Sequence, residues 1–162
     1  MKTFLILGGN IGDKLYYFNE AIKLIDSNIG KVLVKSSIYE TEPWGFESEN
    51  NFYNQVISVE SQLKPIEILA CVNEIESSLG RERQENQYSD RVIDIDILFI
   101  DDLVIDNEML VVPHKNLHKR NFVLLPLSEI ASDFIHPILK KSIKELLAEC
   151  DDTCKCEKLA FL

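Results

Sequence analysis

The stretch Arg91-Val-Ile-Asp-Ile-Asp-Ile-Leu-Phe-Ile100 leaves this chain few ways to fold. Read with period two, Ile93, Ile95, Ile97 and Phe99 share one face, and Asp94 and Asp96 share the other. Such a strand belongs in a sheet that buries its isoleucine side and turns its aspartate side to water or to a ligand. Two carboxylates spaced this way have Cα atoms roughly 6.6 Å apart, close enough to share a metal ion or a metal pair. Like charges at this distance repel, which asks for a cation between them. A lone Asp-x-Asp is also what the solvated face of an edge strand looks like, so the remainder of the chain has to decide.

The flanking segments supply a sheet for this strand to join. Lys2 to Leu7 reads as a buried strand ending at Gly8-Gly9-Asn10. Asp13 is placed to cap a helix whose apolar positions Leu15, Phe18, Ile22 and Ile25 recur every three or four residues. Val32, Val34, Ser36 and Ile38 alternate with Lys31, Leu33, Lys35 and Ser37 in a second strand running into Tyr39. A polar loop punctuated by Pro43 and Gly45 spans 41–51. A third strand covers Phe52 to Leu63, with Phe52, Asn54, Val56 and Ser58 on one face and Tyr53, Gln55, Ile57 and Val59 on the other. Pro65 suits the first turn of a second helix with the stripe Ile68, Leu69, Val72, Ile75 and Leu79, stopped by Gly80. The segment 81–90 is a charged, apolar-poor loop expected to move when no ligand is bound.

After the central strand, Asp101-Asp102 reads as a turn, Leu103 to Ile105 as a short strand, and Phe122 to Ile130 as an apolar stretch open to either strand or helix. A last helix covers about 142–149, followed by a cysteine-containing tail. The order strand, helix, strand, strand, helix, strand predicts an α+β fold, the ferredoxin-like split βαβ sandwich. Its sheet is mainly antiparallel, with helices on one face and ligand-binding loops on the other.

Length and charge narrow the function. A chain of 162 residues fits a single domain, 1–162, able to bury a real core. A net charge of −10 argues against binding DNA, RNA or an anionic membrane surface. The N-terminal apolar run is too short for a signal peptide or a membrane span, and a cytoplasmic monomer acting on small molecules is expected. Cys71 is expected to be a buried thiol. Cys150, Cys154 and Cys156 lack the fourth ligand and the spacing of a zinc site and are expected to be reduced and solvated. His118 and His136 read as surface or structural residues.

Against this acidic background, Arg81, Arg83 and Arg91 precede or open the Asp-x-Asp strand, and His114, Lys115, His118, Lys119 and Arg120 follow it. Carboxylates that hold Mg²⁺ beside arginine forks form a polyphosphate site. No P-loop and no kinase-type glycine-rich loop is present. The pieces Gly8-Gly-Asn10, Tyr39-Glu-Thr-Glu-Pro-Trp-Gly45, Phe52-Tyr-Asn54, Glu76 with Gly80-Arg-Glu-Arg83, Arg91-Val-Ile-Asp-Ile-Asp96, Val112-Pro-His114 and Arg120-Asn-Phe122 are each weak alone. In this order and at these spacings, from Gly8 to about Pro126, the chain resembles the 6-hydroxymethyl-7,8-dihydropterin pyrophosphokinases of folate biosynthesis.

The resemblance implies transfer of the β,γ-pyrophosphoryl group of ATP, as co-substrate, to the pterin hydroxymethyl oxygen, with release of AMP. It implies that Asp94 and Asp96 ligate two Mg²⁺ ions and that these residues, with Arg81 and Arg91, carry catalysis. Phe52 and Phe122 are implied to stack on the pterin, with Thr41, Pro43, Gly45, Asn54 and Asp94 around it. Glu76, Arg81, Arg83, Arg91, Ile97, His114 and Arg120 are implied to meet ATP. No dedicated general base is visible. Three positions depart from the family pattern: Tyr88-Ser89-Asp90 stands where Trp-Gly-Pro is frequent, Lys115 where an aromatic is common, and Gly9 where Ser is usual. Two other readings compete. A non-catalytic Mg-nucleotide-binding regulatory module would bind ATP without AMP release, and a nucleotidyl transferase would release pyrophosphate.

Overall fold

The computed structural model describes residues 1–43, 48–80 and 90–160. The expectations for Trp44, Gly45, the loop 81–89, and with it Arg81, Arg83, Tyr88 and Ser89, lie outside the described residues.

Chain order runs β1 (Lys2–Gly9), α1 (Lys14–Asn28), β2 (Gly30–Lys35), β3 (Tyr39–Thr41), β4 (Phe52–Ser61), α2 (Pro65–Ser78), β5 (Asp94–Ile100), β6 (Ile105–Asp106), β7 (Val111–Val112), a 3₁₀ turn (Leu117–Lys119), α3 (Asn121–Ala131), α4 (Ile143–Glu149) and β8 (Cys156–Lys158). The main sheet is antiparallel throughout, in the order β5-β1-β4-β3-β8, with β2 also on β4; β6 and β7 form a separate ribbon. The sequence β1-α1-β2 followed by β4-α2-β5, with β5 and β4 flanking β1, is the anticipated split βαβ arrangement.

Local chemistry accounts for the helix starts. The Asp13 side chain accepts from Tyr16 N, capping α1 as its position before Leu15 suggests. Pro65 opens α2, and the Glu67 carboxylate accepts from Lys64 N. At α4, Ser142 and Glu145 cap each other's backbone N–H groups.

Period-two alternation holds on β1 and β4. Leu5, Leu7, Ile57 and Val59 face α1 and α2, packing with Phe18, Ala21, Ile25, Ile68 and Val72. Phe4, Ile6 and Val56 face the other way, onto Val123, Leu124, Leu127, Ile143 and Leu146 of α3 and α4. The sheet face carrying the aspartates is therefore shared: the helix pair α3–α4 covers one end, and among the described residues the other end stays open. The stretch left undecided between strand and helix is α3, with Pro126 inside it.

Four local expectations are corrected. Phe99 does not share a face with Ile93, Ile95 and Ile97. Leu5 lies opposite Ile97 while Phe4 lies opposite Phe99, so a β-bulge at Leu98 shifts the parity. Leu98 and Phe99 then enter the α3–α4 cluster, and Ile97 and Ile100 the α1–α2 cluster. The second strand is two, β2 and β3, both along the same edge of β4. They part at Ser36, whose N–H donates to Val56 O while its hydroxyl accepts from Val56 N. Cys71 is half-exposed rather than buried. The acidic tail is not merely solvated, because β8 pairs with β3 and leaves Cys154 and Cys156 half-buried as free thiols. Among the described residues, no helix is long and apolar enough to cross a membrane.

His136 is structural and only 4% exposed. Its Nδ1 accepts from Ile138 N and Leu139 N, and its ring meets Phe99 edge-on at 5.5 Å and His118 at 6.4 Å. Burial, with His118 adding, pushes its pKa down to about 4. A folded-state pKa below the unfolded value means that the full stability is present above about pH 6.5 and is lost as pH falls from there toward 4. The loss from this group alone approaches about 3 kcal/mol at the acid end. Urea unfolding at pH 7, 5.5 and 4.5 should show this slope in the parent chain. His136→Asn keeps an acceptor for the two N–H groups but cannot be protonated, and should flatten it; an equal slope in both proteins would exclude His136 as the source.

Candidate active site

Register across the sheet assembles the site. Asp94 lies opposite Gly8, Gly8 opposite Asn54, and Asn54 opposite Tyr39. One step along, Asp96 lies opposite Ile6, and Phe52 lies opposite Thr41. Residues opposite one another in antiparallel strands project to the same face, so these side chains line one surface at the end that α3 and α4 leave open. The surface is the floor of an open cleft of about 650 Å³, lined by Asp94, Asp96, Asn54, Thr41, Phe52, Arg91, His114, Arg120 and Phe122, with Ile6, Gly8, Glu42, Leu98 and Val123 filling in.

Gly8 gives the cleft its depth. A Cβ there would stand 3.4 Å from Asn54 Oδ1, over the floor between Asn54 and Asp94. Gly9 permits a backbone approach, since a Cβ at that position would come within 2.5 Å of Val92 O. In this chain, glycine rather than the family's usual serine is what that approach requires.

The approach matters because it brings Arg91 to the rim. Asn10, 1% exposed, donates its backbone N–H to Arg91 O at 2.9 Å and accepts Arg91 N–H on Oδ1 at 2.8 Å. Its Nδ2 donates to Asp90 Oδ1 at 2.7 Å and to Asn50 O at 3.2 Å. One buried amide thus ties the end of β1 to two loops, and Asp90, one of the departures from the family pattern, is part of that knot. Sequence reasoning used Asn10 only as a motif residue. The signal it carried was a lone Asn directly after a glycine pair at a strand end.

The cations and aromatic rings alternate around the cleft. Arg91 lies 5.1 Å over the Phe52 ring, with Nη1 3.7 Å from Asp94 Oδ2, and Arg120 lies 5.8 Å from the Phe122 ring centroid. Asn54 Nδ2 donates to Thr41 Oγ1 at 3.0 Å, which fixes the orientation of a buried amide with further polar capacity. His114 is held below its ordinary pKa chiefly by burial, with Arg120 adding and Asp94 opposing, so its imidazole is neutral at pH 7. Its Nδ1 accepts from Asn116 N at 3.4 Å, which leaves Nε2–H as the donor.

Among the described residues, no group of three or more His, Cys, Asp and Glu side chains is arranged to hold a metal by itself. Asp94 and Asp96 offer hard oxygen donors on one face and fit a cation that takes its remaining ligands from water and phosphate, as Mg²⁺ does.

Thr41, Phe52, Asn54, Arg91, Asp94, Asp96, His114, Arg120 and Phe122 are therefore brought together as anticipated. Pro43 is half-buried just beyond the lining residue Glu42 and does not itself line the cleft. Glu76 and Ile97 are not lining residues either. Glu76 is buried on α2, where its Oε2 accepts from Ile95 N at 3.2 Å, and Ile97 belongs to the core beneath α1 and α2. Gly45, Arg81 and Arg83 lie outside the described residues. The lining residues Ile6, Gly8, Glu42, Leu98 and Val123 were not among the candidates; Leu98 owes its place to the bulge.

Comparison with known proteins identifies relatives of the chain. Residues 4–132 match the model of the family described as 7,8-dihydro-6-hydroxymethylpterin-pyrophosphokinase. The 2-amino-4-hydroxy-6-hydroxymethyldihydropteridine pyrophosphokinase of Aquifex aeolicus is 40% identical over 149 residues, covering 91% of each chain. The protein of the same name from Bacillus subtilis is 40% identical over 129 residues, 79% of this chain and 77% of that one. The bifunctional protein FolKE of Lactococcus lactis is 42% identical over 89% of this chain, which spans 42% of that protein. Among solved structures, Plasmodium falciparum HPPK-DHPS superposes with a TM-score of 0.76 at 17% identity, over 91% of this chain and 44% of that one, a likeness of fold.

Proposed function

The chain belongs to the 7,8-dihydro-6-hydroxymethylpterin-pyrophosphokinase family, and from that premise we propose how its cleft works. The reaction is transfer of the pyrophosphoryl group of ATP to the hydroxymethyl oxygen of 6-hydroxymethyl-7,8-dihydropterin, giving AMP and the pterin diphosphate for folate biosynthesis. The observation that carries this reading is the shared cleft: a carboxylate pair, two arginines, two phenylalanines and an oriented asparagine around one floor.

Phe52 and Phe122 hold the flat heterocycle, while Asn54 and Thr41 meet its polar edge. Asp94 and Asp96 hold magnesium, two ions in this reading, whose chemistry when bound is neutralisation of the phosphate oxygens. Arg91 and Arg120, each beside one of the two rings, reach the phosphates from the same side as the acceptor. The acceptor hydroxyl and the β-phosphorus are thereby held in line, so most of the rate comes from positioning and electrostatics. Neutral His114 supplies a hydrogen bond without adding to the local positive charge. Arg81 and Arg83 complete the phosphate clamps, and Gly45 and Pro43 the pterin loop. We read 1–162 as one domain acting as a monomer in the cytoplasm.

The test is a coupled assay for AMP with ATP and Mg²⁺, with and without the dihydropterin. Pterin-dependent AMP is the expected result. ATP binding without AMP, or release of inorganic pyrophosphate instead, would overturn the reading.

A further inference from the structure

Residues 151–158 lie beyond the family-matched span of 4–132, yet they are bonded to both walls of the cleft. The Asp152 carboxylate accepts the backbone N–H of Asn121 on Oδ2 at 2.9 Å and that of Cys154 on Oδ1 at 2.9 Å. The Asp152 carbonyl accepts Asn121 Nδ2 at 2.8 Å. Asn121 is the first residue of α3, whose N-cap, Arg120, provides no side-chain cap. Asp152 thus does from thirty-one residues away what a capping side chain does locally. The neighbours of Asn121 on either side, Arg120 and Phe122, both line the cleft.

The same segment then grips the opposite wall. In β8, Cys156 lies opposite Thr41 and Glu157 opposite Glu40, and Leu159 N–H donates to Ile38 O at 2.8 Å. Thr41 in turn orients Asn54. No residue of 151–158 belongs to either hydrophobic core cluster. Glu129 of α3 already joins β3 directly, accepting from Ser37 N, Ser37 Oγ and Tyr39 Oη, and the bonds of 151–158 add a second joint at Asn121 and Thr41, the parts of α3 and β3 next to the cleft.

We propose that Asp152 is a positioning residue for the acceptor half of the site. By fixing the first turn of α3 against β3, it sets the separation of Phe122 from Thr41 and Asn54 and hence the affinity for a flat heterocyclic alcohol. The proposal rests on the reading given under Proposed function.

The test uses the full chain, Asp152→Ala and Asp152→Asn, with calorimetric titration of the dihydropterin and of an α,β-methylene ATP analogue with Mg²⁺, which resists transfer because its α–β bridge cannot break. Asp152→Ala should bind the pterin about tenfold more weakly, while nucleotide affinity, to which Arg120 beside Asn121 also contributes, falls by no more than about threefold and the melting temperature shifts by no more than about 4 °C. Asp152→Asn keeps an acceptor oxygen and should lose less than about threefold. Unchanged pterin affinity, parallel losses for both ligands, or a larger fall in melting temperature would overturn the positioning role while leaving the reaction assignment standing. Failure of the parent chain to bind the pterin at all would overturn both.

Discussion

Asp94→Ala and Asp96→Ala should each lower turnover about a thousandfold while the fold survives. Both carboxylates project from β5 onto the cleft floor, opposite Gly8 and Ile6, and neither enters a hydrophobic cluster. Removing a metal ligand takes away several kcal/mol of charge stabilisation in the transition state, and each 1.36 kcal/mol is about a factor of ten in rate. The structural cost should be much smaller. The Asp94 side chain is 23% exposed, and its approach to Arg91 at 3.7 Å is long, so losing it should cost on the order of 1 kcal/mol or less. Turnover measured beside thermal melting separates the two effects. Normal turnover in both variants would sink the metal assignment, and a large fall in melting temperature would make the kinetic result uninformative about chemistry. The isosteric Asp96→Asn, which keeps the shape and loses the charge, should behave like Asp96→Ala in turnover.

Arg91→Ala should cost roughly a hundredfold to a thousandfold in kcat/KM, the scale of removing one preorganised donor from a charged transition state. The side chain is 16% exposed, lies over Phe52 and points toward Asp94, while its backbone is held separately by Asn10. Deleting the guanidinium therefore leaves the segment anchored, and the loss should fall mainly on kcat. Arg91→Lys restores the charge without the planar fork and should recover only part of the activity. Steady-state kinetics with ATP and the pterin varied separately would check this. A variant with full kcat/KM would remove Arg91 from the clamp, and full recovery by lysine would reduce its role to net charge.

Both predictions begin from features legible in the linear chain, and the structure shows where that legibility stops. Alternation on β4 assigned its faces correctly because a strand's side-chain period depends only on its own backbone. The Asp13 cap and the α2 stripe were readable for the same local reason, as was the α1 stripe from Phe18 on; Leu15, in the first turn, is exposed. The failures come where a distant segment changes a local rule. Leu98 has no sequence mark of a bulge, and the shift arises only from how β5 pairs with β1. α3 was ambiguous because a nearly continuous apolar run containing Pro126 fits two structures equally, and its burial against β1, β4 and β5 selects helix. β8 was hidden because an acidic, Lys-containing segment carries no strand signal until β3 offers it an edge.

The site divides along the same line. Taken alone, the sequence determined the chemistry and its direction: two aspartates on one face of a strand, Asn54 and Phe52 on one face of another, and arginines and a histidine close by. Those facts follow from residue type and backbone period, and both are local. Only the tertiary structure decided which of the candidates meet in one cleft and which, like Ile97, enter the core on the other side of the sheet. It also revealed the joints that hold the walls: Asn10 to Arg91, across eighty-one residues, and Asn121 to Asp152, across thirty-one. Such joints are hydrogen bonds between backbone and side chains far apart in sequence, and their geometry does not exist until the sheet has set its register.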